Sequence, residues 1–146
     1  MANWIETKVK YEKTLENGAK KVVTEPYLVD ALSFAEAEAR IIEEVTPYIQ
    51  GDFKVDAVKR TNISEIFSSE EASADKFYKV KAAFIALDEK TGAEKRSNAN
   101  YLVQAESLEN ALSKFKAGMK GTLGDFEIVS IAETAIVDVI KYEQKK

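Results

Sequence analysis

One pattern of residues occurs twice along the chain, and it constrains the fold more than any other feature. The segment YLVDALS at residues 27–33 returns as YLVQAES at residues 101–107, which is 74 residues later. The triplet GDF at residues 51–53 returns at residues 124–126, which is 73 residues later. Matches in the same order at nearly the same offset indicate a tandem duplication. Because a solenoid needs roughly three or more units to bury a continuous core, we predict one pseudo-symmetric domain over residues 1–146.

Each copy has the same predicted order of elements, which is strand, strand, helix and strand. Copy one spans about 3–67, a polar linker spans 68–76, copy two spans about 77–140, and a tail spans 141–146. In the first strand Ile5, Thr7 and Val9 alternate with charged residues, as in a half-buried strand. The predicted fold class is therefore α+β, a tandem duplication of a ββαβ unit. We expect a mixed or antiparallel sheet with two helices packed on one face, and the sequence leaves open whether both copies share it.

Turn and break signals separate the predicted elements. Asn17-Gly18 predicts a type I′ hairpin turn, in which both central residues have positive φ. Lys90-Thr91-Gly92 predicts a loop one residue longer in copy two, with the glycine in the left-handed region. The final strand of each copy is too long for one flat strand, and the residues around Thr61 and Thr134 predict a bulge or a break there.

Serine marks the start of each predicted helix. Ser33 and Glu36 form a capping box, in which each side chain satisfies an amide that the first helical turn leaves unpaired. Ser107 occupies the same position in copy two. Apolar residues then recur at helical spacing and predict the buried stripe of each helix. The stripe is Phe34, Ala37, Ile41 and Val45 in copy one, and Leu108, Ala111, Leu112, Phe115 and Met119 in copy two.

Composition excludes several classes of chemistry. The chain has no Cys and no His, which removes disulfides, thiolate nucleophiles, zinc fingers and imidazole-based triads. The sequence has neither a carboxylate cluster with metal-site spacing nor a glycine-rich phosphate loop, so we predict no catalytic residue, no metal and no cofactor. No apolar run reaches the length of a membrane span or a signal peptide, and we expect a cytoplasmic protein.

The predicted strand break in copy one supplies the best candidate for a binding site. Lys59, Arg60 and Asn62 combine two cations with an amide, and Arg binds phosphate through two parallel hydrogen bonds. Trp4 falls on the lysine-bearing face of the first strand, where an aromatic ring is suited to stack on a base. The alternative is that these residues form an ordinary solvated bulge.

Several of these motifs together resemble a known family. They are Asn3-Trp4, Tyr11-Glu12-Lys13, the run TEPYLVDALS at residues 24–33, Phe126-Glu127 and the run AETA at residues 132–135. The chain resembles short proteins of unknown function from Bacteroidetes and their tailed phages, over nearly its whole length. The resemblance implies a phage or mobile-element context, and it implies no activity. Family members have Trp-Tyr-Glu-Cys where this chain has Trp4-Ile5-Glu6-Thr7, so any role of that cysteine is absent here.

Three classes of function remain. We expect a non-enzymatic protein-interaction or accessory module, because the chain is small, duplicated and poor in catalytic chemistry. The alternative is a binder of nucleotide or single-stranded nucleic acid, and an enzyme using carboxylate, Lys or Tyr chemistry is the third class. The expected partner is another protein, and a homo-oligomer formed through edge strands is possible.

Overall fold

The computed structural model describes residues 3–122 and 124–141, and it has the predicted α+β composition. The elements follow the chain in the order β1 (Trp4–Thr14), β2 (Lys20–Asp30), α1 (Phe34–Val45), β3 (Phe53–Arg60), β4 (Ile63–Phe67), β5 (Lys76–Leu87), β6 (Glu94–Ala105), α2 (Leu108–Gly118), β7 (Asp125–Glu133) and β8 (Asp138–Ile140). Neither described helix is long and apolar enough to cross a membrane. The predicted tail at 141–146 lies outside the described residues, apart from Lys141.

The chain divides into two compact units. The first unit consists of Met1–Thr61 together with Ala135–Lys146, and the second consists of Asn62–Thr134. Each unit contains one four-stranded mixed sheet, with the order β3-β1-β2-β8 in the first and β4-β6-β5-β7 in the second. One helix packs on each sheet, α1 in the first unit and α2 in the second. The structure thus has two sheets with one helix on each. The sequence instead favours one sheet with two helices on one face. The grouping of both copies into one domain stays a prediction.

Each long final strand of the sequence is broken, as predicted. β3 ends at Arg60 and β4 begins at Ile63, whereas β7 ends at Glu133 and β8 begins at Asp138. The segment after each break pairs parallel to a strand of the other repeat: β4 with β6, and β8 with β2. By the predicted repeat boundaries, β4 belongs to copy one and β8 belongs to copy two. In the structure β4 completes the sheet of the second unit, and β8 completes the sheet of the first.

Alternating apolar residues of the sheets and one stripe of each helix form the two cores. In the first unit the buried residues are Ile5, Val9, Val29, Ala31, Ala37, Ile41 and Val45. In the second unit they include Tyr78, Val80, Tyr101, Val103, Ala111, Phe115 and Met119. The predicted stripes are wrong at Phe34 and Leu108, which remain 46% and 49% exposed. Helical side chains lean toward the N-terminus, so the side chain of the first helical residue extends away from the core.

Both helices begin at the predicted serine caps. The Ser33 hydroxyl accepts a hydrogen bond from the Glu36 backbone N–H, and Ser107 accepts one from Asn110, each at 3.1 Å. The Glu36 carboxylate accepts from the Leu32 N–H at 3.4 Å, one residue before the backbone N–H that the capping box predicts. The serine half of the predicted box is therefore confirmed, and its glutamate satisfies a neighbouring amide.

The first hairpin turn differs from the prediction. Gly18 has φ 83°, but no described residue other than glycine has positive φ, so Asn17 is not left-handed and the turn is not type I′. The Gly18 N–H donates to the Leu15 carbonyl at 2.9 Å, and the Leu15 N–H donates to the Ala19 carbonyl at 2.7 Å. This pattern closes a three-residue loop that needs only one left-handed residue. The longer loop of the second hairpin does place Gly92 in the left-handed region, at φ 71°.

Candidate functional site

The four residues predicted to bind a ligand have separate surroundings. Lys59 pairs with Glu6, with 3.3 Å between Nζ and Oε1, whereas Arg60 lies with Cζ 5.6 Å from the centre of the Phe34 ring. Trp4 is only 9% exposed, which leaves little of its ring for stacking on a base. Asn62 belongs to the second unit. The assignment of a ligand to these residues stays a prediction. Asn62 lines a groove of the second unit, and a cleft with different lining residues lies in the first unit.

That cleft has a volume of about 360 Å³ and lies at the C-terminal end of α1. Three tyrosines, three carboxylates and four apolar side chains line it, and none of these described lining residues is a Lys or Arg. We call it the acidic cleft, and its lining residues are Tyr11, Tyr27, Tyr48, Glu25, Glu44, Asp138, Val45, Ile49, Val137 and Ile140. The chemistry of the lining is therefore aromatic and anionic.

The sheet positions the inner half of the cleft. Glu25 and Tyr27 are two residues apart on β2, so alternation sends both side chains to the helix-bearing face. Asp138 on β8 is the direct register partner of Tyr27. Tyr11 is a neighbour on β1, where Val9 lies opposite Glu25. Three adjacent strands therefore meet at one corner of the sheet. There β1 supplies a phenol, β2 supplies a phenol and a carboxylate, and β8 supplies a carboxylate.

The end of α1 supplies the outer half. The backbone N–H groups of Tyr48 and Ile49 both donate to the Val45 carbonyl, at 2.9 and 3.1 Å. These bonds turn the chain sharply after the helix and place both side chains at the cleft. The last turn of α1 contains no basic residue, and Glu44 lies in it. Because a helix C-terminus carries partial negative charge, the helix end adds to the negative potential of the carboxylates.

Two tyrosines of the cleft have a raised pKa. Burial raises the pKa of Tyr27 to about 12, and the charge of Glu25 contributes to this shift. Burial also raises the pKa of Tyr11, and a hydrogen bond with the Glu25 carboxylate adds to the effect. Both phenols therefore keep their protons to a higher pH than an ordinary tyrosine, beside the Glu25 carboxylate. The carboxylate has capacity for further donors, since its two oxygens offer about four lone-pair sites.

The corresponding corner of the second unit is filled instead of open. Phe67 on β4 is the register partner of Val103, just as Ile140 on β8 is the partner of Val29. The Phe67 ring stacks on Tyr101 with 5.9 Å between ring centres and a 5° interplanar angle. It also packs against the end of α2, where a Cβ on Gly118 would lie 3.2 Å from the ring. In the first unit the smaller Ile140 leaves this space unfilled.

The sequence alone does not reveal the acidic cleft, because Tyr11 and Tyr27 lie at alternating positions that are typical of the buried face of a strand. One signal is available: Glu25 lies at period-two spacing with the apolar residues Val23, Tyr27 and Val29, so it is a carboxylate on the apolar face of its strand. A charge at such a position requires a partner or access to solvent. Nothing in the sequence, however, indicates that Tyr48 and Asp138 lie beside it.

The arrangement suits an organic cation. Carboxylates accept strong hydrogen bonds from ammonium and guanidinium groups, and tyrosine faces attract cations through their ring quadrupole. Within the described residues, no group of three or more acidic side chains is placed to hold a metal ion. The cleft therefore favours a side chain such as Lys or Arg.

Comparison with known proteins gives a family without an assigned activity. The family model described as a domain of unknown function, DUF4494, matches residues 3–142, which is almost the whole chain. No curated protein matches the chain. The match confirms that the chain resembles a family of unknown function over nearly its whole length, whereas the expected origin in Bacteroidetes and their phages stays a prediction.

Proposed function

Because the chain belongs to the DUF4494 family, whose function is unknown, we propose its function from the cleft: it is a non-enzymatic module that binds a partner protein. The acidic cleft receives a Lys or Arg side chain of that partner. The observation that supports this proposal is the convergence of three carboxylates and three tyrosines on one open cleft whose described lining contains no cation.

Electrostatics favours a bound cation over an empty cleft. Glu25, Glu44 and Asp138 carry like charges around one small volume, and a positive side chain among them offsets their repulsion. The volume of the acidic cleft, about 360 Å³, is small for a ligand pocket, since such pockets range from about 300 to 1,000 Å³. That size suits a single side chain with its flanking residues better than a large cofactor.

The absence of His and Cys from the sequence supports a binding role over an enzymatic one. Those two residues supply the commonest general base and the most nucleophilic side chain. The proposal includes the phage or mobile-element context that the family resemblance implies, and the cytoplasmic location expected from the absence of a long apolar run. The expected partner is a different protein, and a second copy of the chain is the alternative.

We further infer that the two units arose by tandem duplication of a ββαβ segment. An equivalent hydrogen bond in each unit supports the duplication. The Thr61 hydroxyl donates to the Trp4 carbonyl, and the Thr134 hydroxyl donates to the Phe77 carbonyl, each at 2.8 Å. Both members of the second pair lie 73 residues after those of the first. On this inference the acidic cleft distinguishes the first unit and is built from residues of both copies.

A capture experiment with matched variants tests the proposed function. The tagged chain is incubated with lysate of its source cells, with and without nuclease, and retained proteins are identified by mass spectrometry. The cleft variant carries Glu25→Gln and Glu44→Gln, and the control is Glu65→Gln, which changes the carboxylate beside Tyr101 in the filled corner. We expect a stoichiometric partner on the wild type and the control, resistant to nuclease and lost from the cleft variant. Equal capture by all three proteins, or capture that nuclease abolishes, would contradict the proposal.

A further inference from the structure

A polar groove lies in the second unit, on the face of its sheet opposite α2. Lys79 and Lys81 on β5 alternate with Tyr78, Val80 and Ala82, whose side chains pack into the core under the helix. The lysines therefore project from the other face. There they line a groove of about 390 Å³ together with Asn62, Asn98, Asn100 and Ser130. We call this the lysine groove.

The strand register places a hydrogen-bonding side chain on each side of Lys81. Asn100 on β6 is its direct partner on one side, and Ser130 on β7 is its direct partner on the other. Directly opposed residues have Cβ atoms about 4.5–5.5 Å apart, so these three side chains form one polar row across the sheet. Lys79 lies next along β5 on the same face and brings a second ammonium group to the row.

The two lysines of the groove have no counter-charge among the described residues. Within the described residues, neither Lys79 nor Lys81 forms an ion pair. No carboxylate lines the groove. Lys81 is half-buried, so it has lost part of its hydration without gaining a counter-charge. An anion in the groove would supply that charge.

The corresponding face of the first unit's sheet carries different side chains. On the corresponding face of its sheet, Glu6 and Lys59 neutralise each other as an ion pair at 3.3 Å. Lys8, at the centre of that sheet, has Pro26 and Ala57 as its register partners, neither of which has a hydrogen-bonding side chain. The combination of unpaired lysines with amide and hydroxyl groups thus distinguishes the second unit, and Lys8 provides a matched control.

We propose that the lysine groove binds the phosphate group of a small phosphorylated molecule of about mononucleotide size. Lys79 and Lys81 neutralise the phosphate, and the asparagines and Ser130 supply donors and acceptors to the remainder of the ligand. The site is independent of the partner cleft proposed above.

A small ligand fits the groove better than a nucleic acid strand. Proteins that follow single strands combine a long basic track with aromatic rings on which bases stack. Here two lysines share one compact groove, and Phe77, the aromatic residue on the same face of β5, is only 3% exposed. The groove therefore matches one phosphate ester with a polar body.

The test is a titration of the isotopically labelled chain, followed by amide NMR shifts. The probes are adenosine 5′-monophosphate, ribose 5-phosphate, adenosine and a short single-stranded oligonucleotide. We expect saturable shifts at Lys79–Lys81, Asn98–Asn100 and Ser130 with a phosphate ester and none with adenosine. If both esters bind, the stronger one shows whether the natural ligand is a nucleotide or a sugar phosphate.

Lysine variants separate this site from general attraction of anions. Lys81→Gln and Lys79→Gln should each weaken binding of the phosphate ester about tenfold, whereas Lys8→Gln should leave it unchanged. The wild-type shift map does not depend on the folding of any variant. The proposal is overturned if neither ester binds, if adenosine binds as well as its monophosphate, if the shifts lie outside the groove, or if Lys8→Gln weakens binding equally. An oligonucleotide that binds more tightly than either ester would replace the small ligand with a nucleic acid.

Discussion

At the end of each helix, one residue on the short edge strand decides whether a corner of the core is filled or open. Phe67 occupies that position in the second unit and packs against Phe115 and the bare backbone of Gly118. Ile140 occupies it in the first unit, and the helix there carries Glu44. The chemistry of the acidic cleft thus depends on a few side chains, while the backbone plan of the two units is similar.

Phe115 anchors the filled corner, and we expect Phe115→Ala to lower the free energy of unfolding by about 3–5 kcal/mol. Its side chain is fully buried and its ring lies 5.2 Å from that of Tyr101 and 6.2 Å from that of Phe126. Phe34→Ala is the control, because that ring is 46% exposed. Urea denaturation followed by circular dichroism measures both. Equal losses for the two variants would contradict the assignment of Phe115 to the core.

The half-buried Tyr27 predicts a loss of stability at high pH. The pKa of Tyr27 rises from an ordinary value near 10 to about 12 in the folded chain. Between these values the unfolded chain has released a proton that the folded chain retains, so the free energy of unfolding decreases as pH rises from about 10 to 12. Tyr27→Phe should reduce this slope, and Tyr48→Phe controls for the loss of one exposed tyrosine. Denaturation midpoints across this pH range provide the measurement, and an unchanged slope in Tyr27→Phe would contradict the account.

At the scale of the elements, short local signals determine where helices and hairpins begin and end. Ser33 and Ser107 begin their helices because each hydroxyl accepts from a backbone N–H three residues later. Such contacts lie within one turn, which is why the sequence predicts them. The same locality explains the error at Asn17, since two different turns satisfy an Asn-Gly pair in a hairpin.

Removal of a cap should cost about 0.5–2 kcal/mol of stability. We expect losses in this range for both Ser33→Ala and Ser107→Ala, since the cap hydrogen bonds have the same length. Ser113→Ala is the control, because Ser113 is exposed within α2 and alanine is the better helix former. Thermal or urea unfolding measures all three, and a Ser33→Ala protein as stable as wild type would mean that the cap contributes nothing.

The hairpin turn depends on the left-handed conformation of Gly18, which has φ 83°. Gly18→Val should destabilise the chain by about 1–2 kcal/mol, because a β-branched residue resists positive φ. Gly18→Asn should cost less, because asparagine tolerates that region. No heavy atom lies within 4 Å of a Cβ built at this position, so steric contact does not explain a loss. Equal melting temperatures for the two variants would contradict a conformational origin.

The pairing of the short strands is what the sequence could not supply. β4 and β8 are segments of five and three residues, and their alternation fits the edge of either sheet equally well. Partner choice depends on where the chain runs after Thr61 and Thr134, and no local signal encodes that path. The fold class, the strand breaks and the helix caps were predictable, whereas the assignment of each short strand to its sheet was not.

At the scale of the whole molecule, each unit carries a cleft or groove of distinct chemistry on a similar frame. The first unit offers an anionic, aromatic cleft on the helix-bearing side of its sheet, and the second offers a cationic, amide-rich groove on the helix-free side. The alternation of residues predicts on which face of its strand Trp4 lies, but it does not predict how far that face is buried. It likewise gave no distance between Glu25 and Asp138. Residues far apart in sequence build both sites, so the structure was needed to find them.

The most direct test of the proposed function is whether the acidic cleft binds a cationic side chain by itself. Amide NMR shifts of the labelled chain are recorded during titration with N-acetyl-arginine amide, N-acetyl-lysine amide and, as the neutral control, N-acetyl-glutamine amide. We predict saturable shifts around Glu25, Tyr27 and Tyr48 with at least one cationic compound, which disappear in the Glu25→Gln, Glu44→Gln variant. Shifts that the neutral compound reproduces, or no saturable change near the cleft with either cation, would contradict the account.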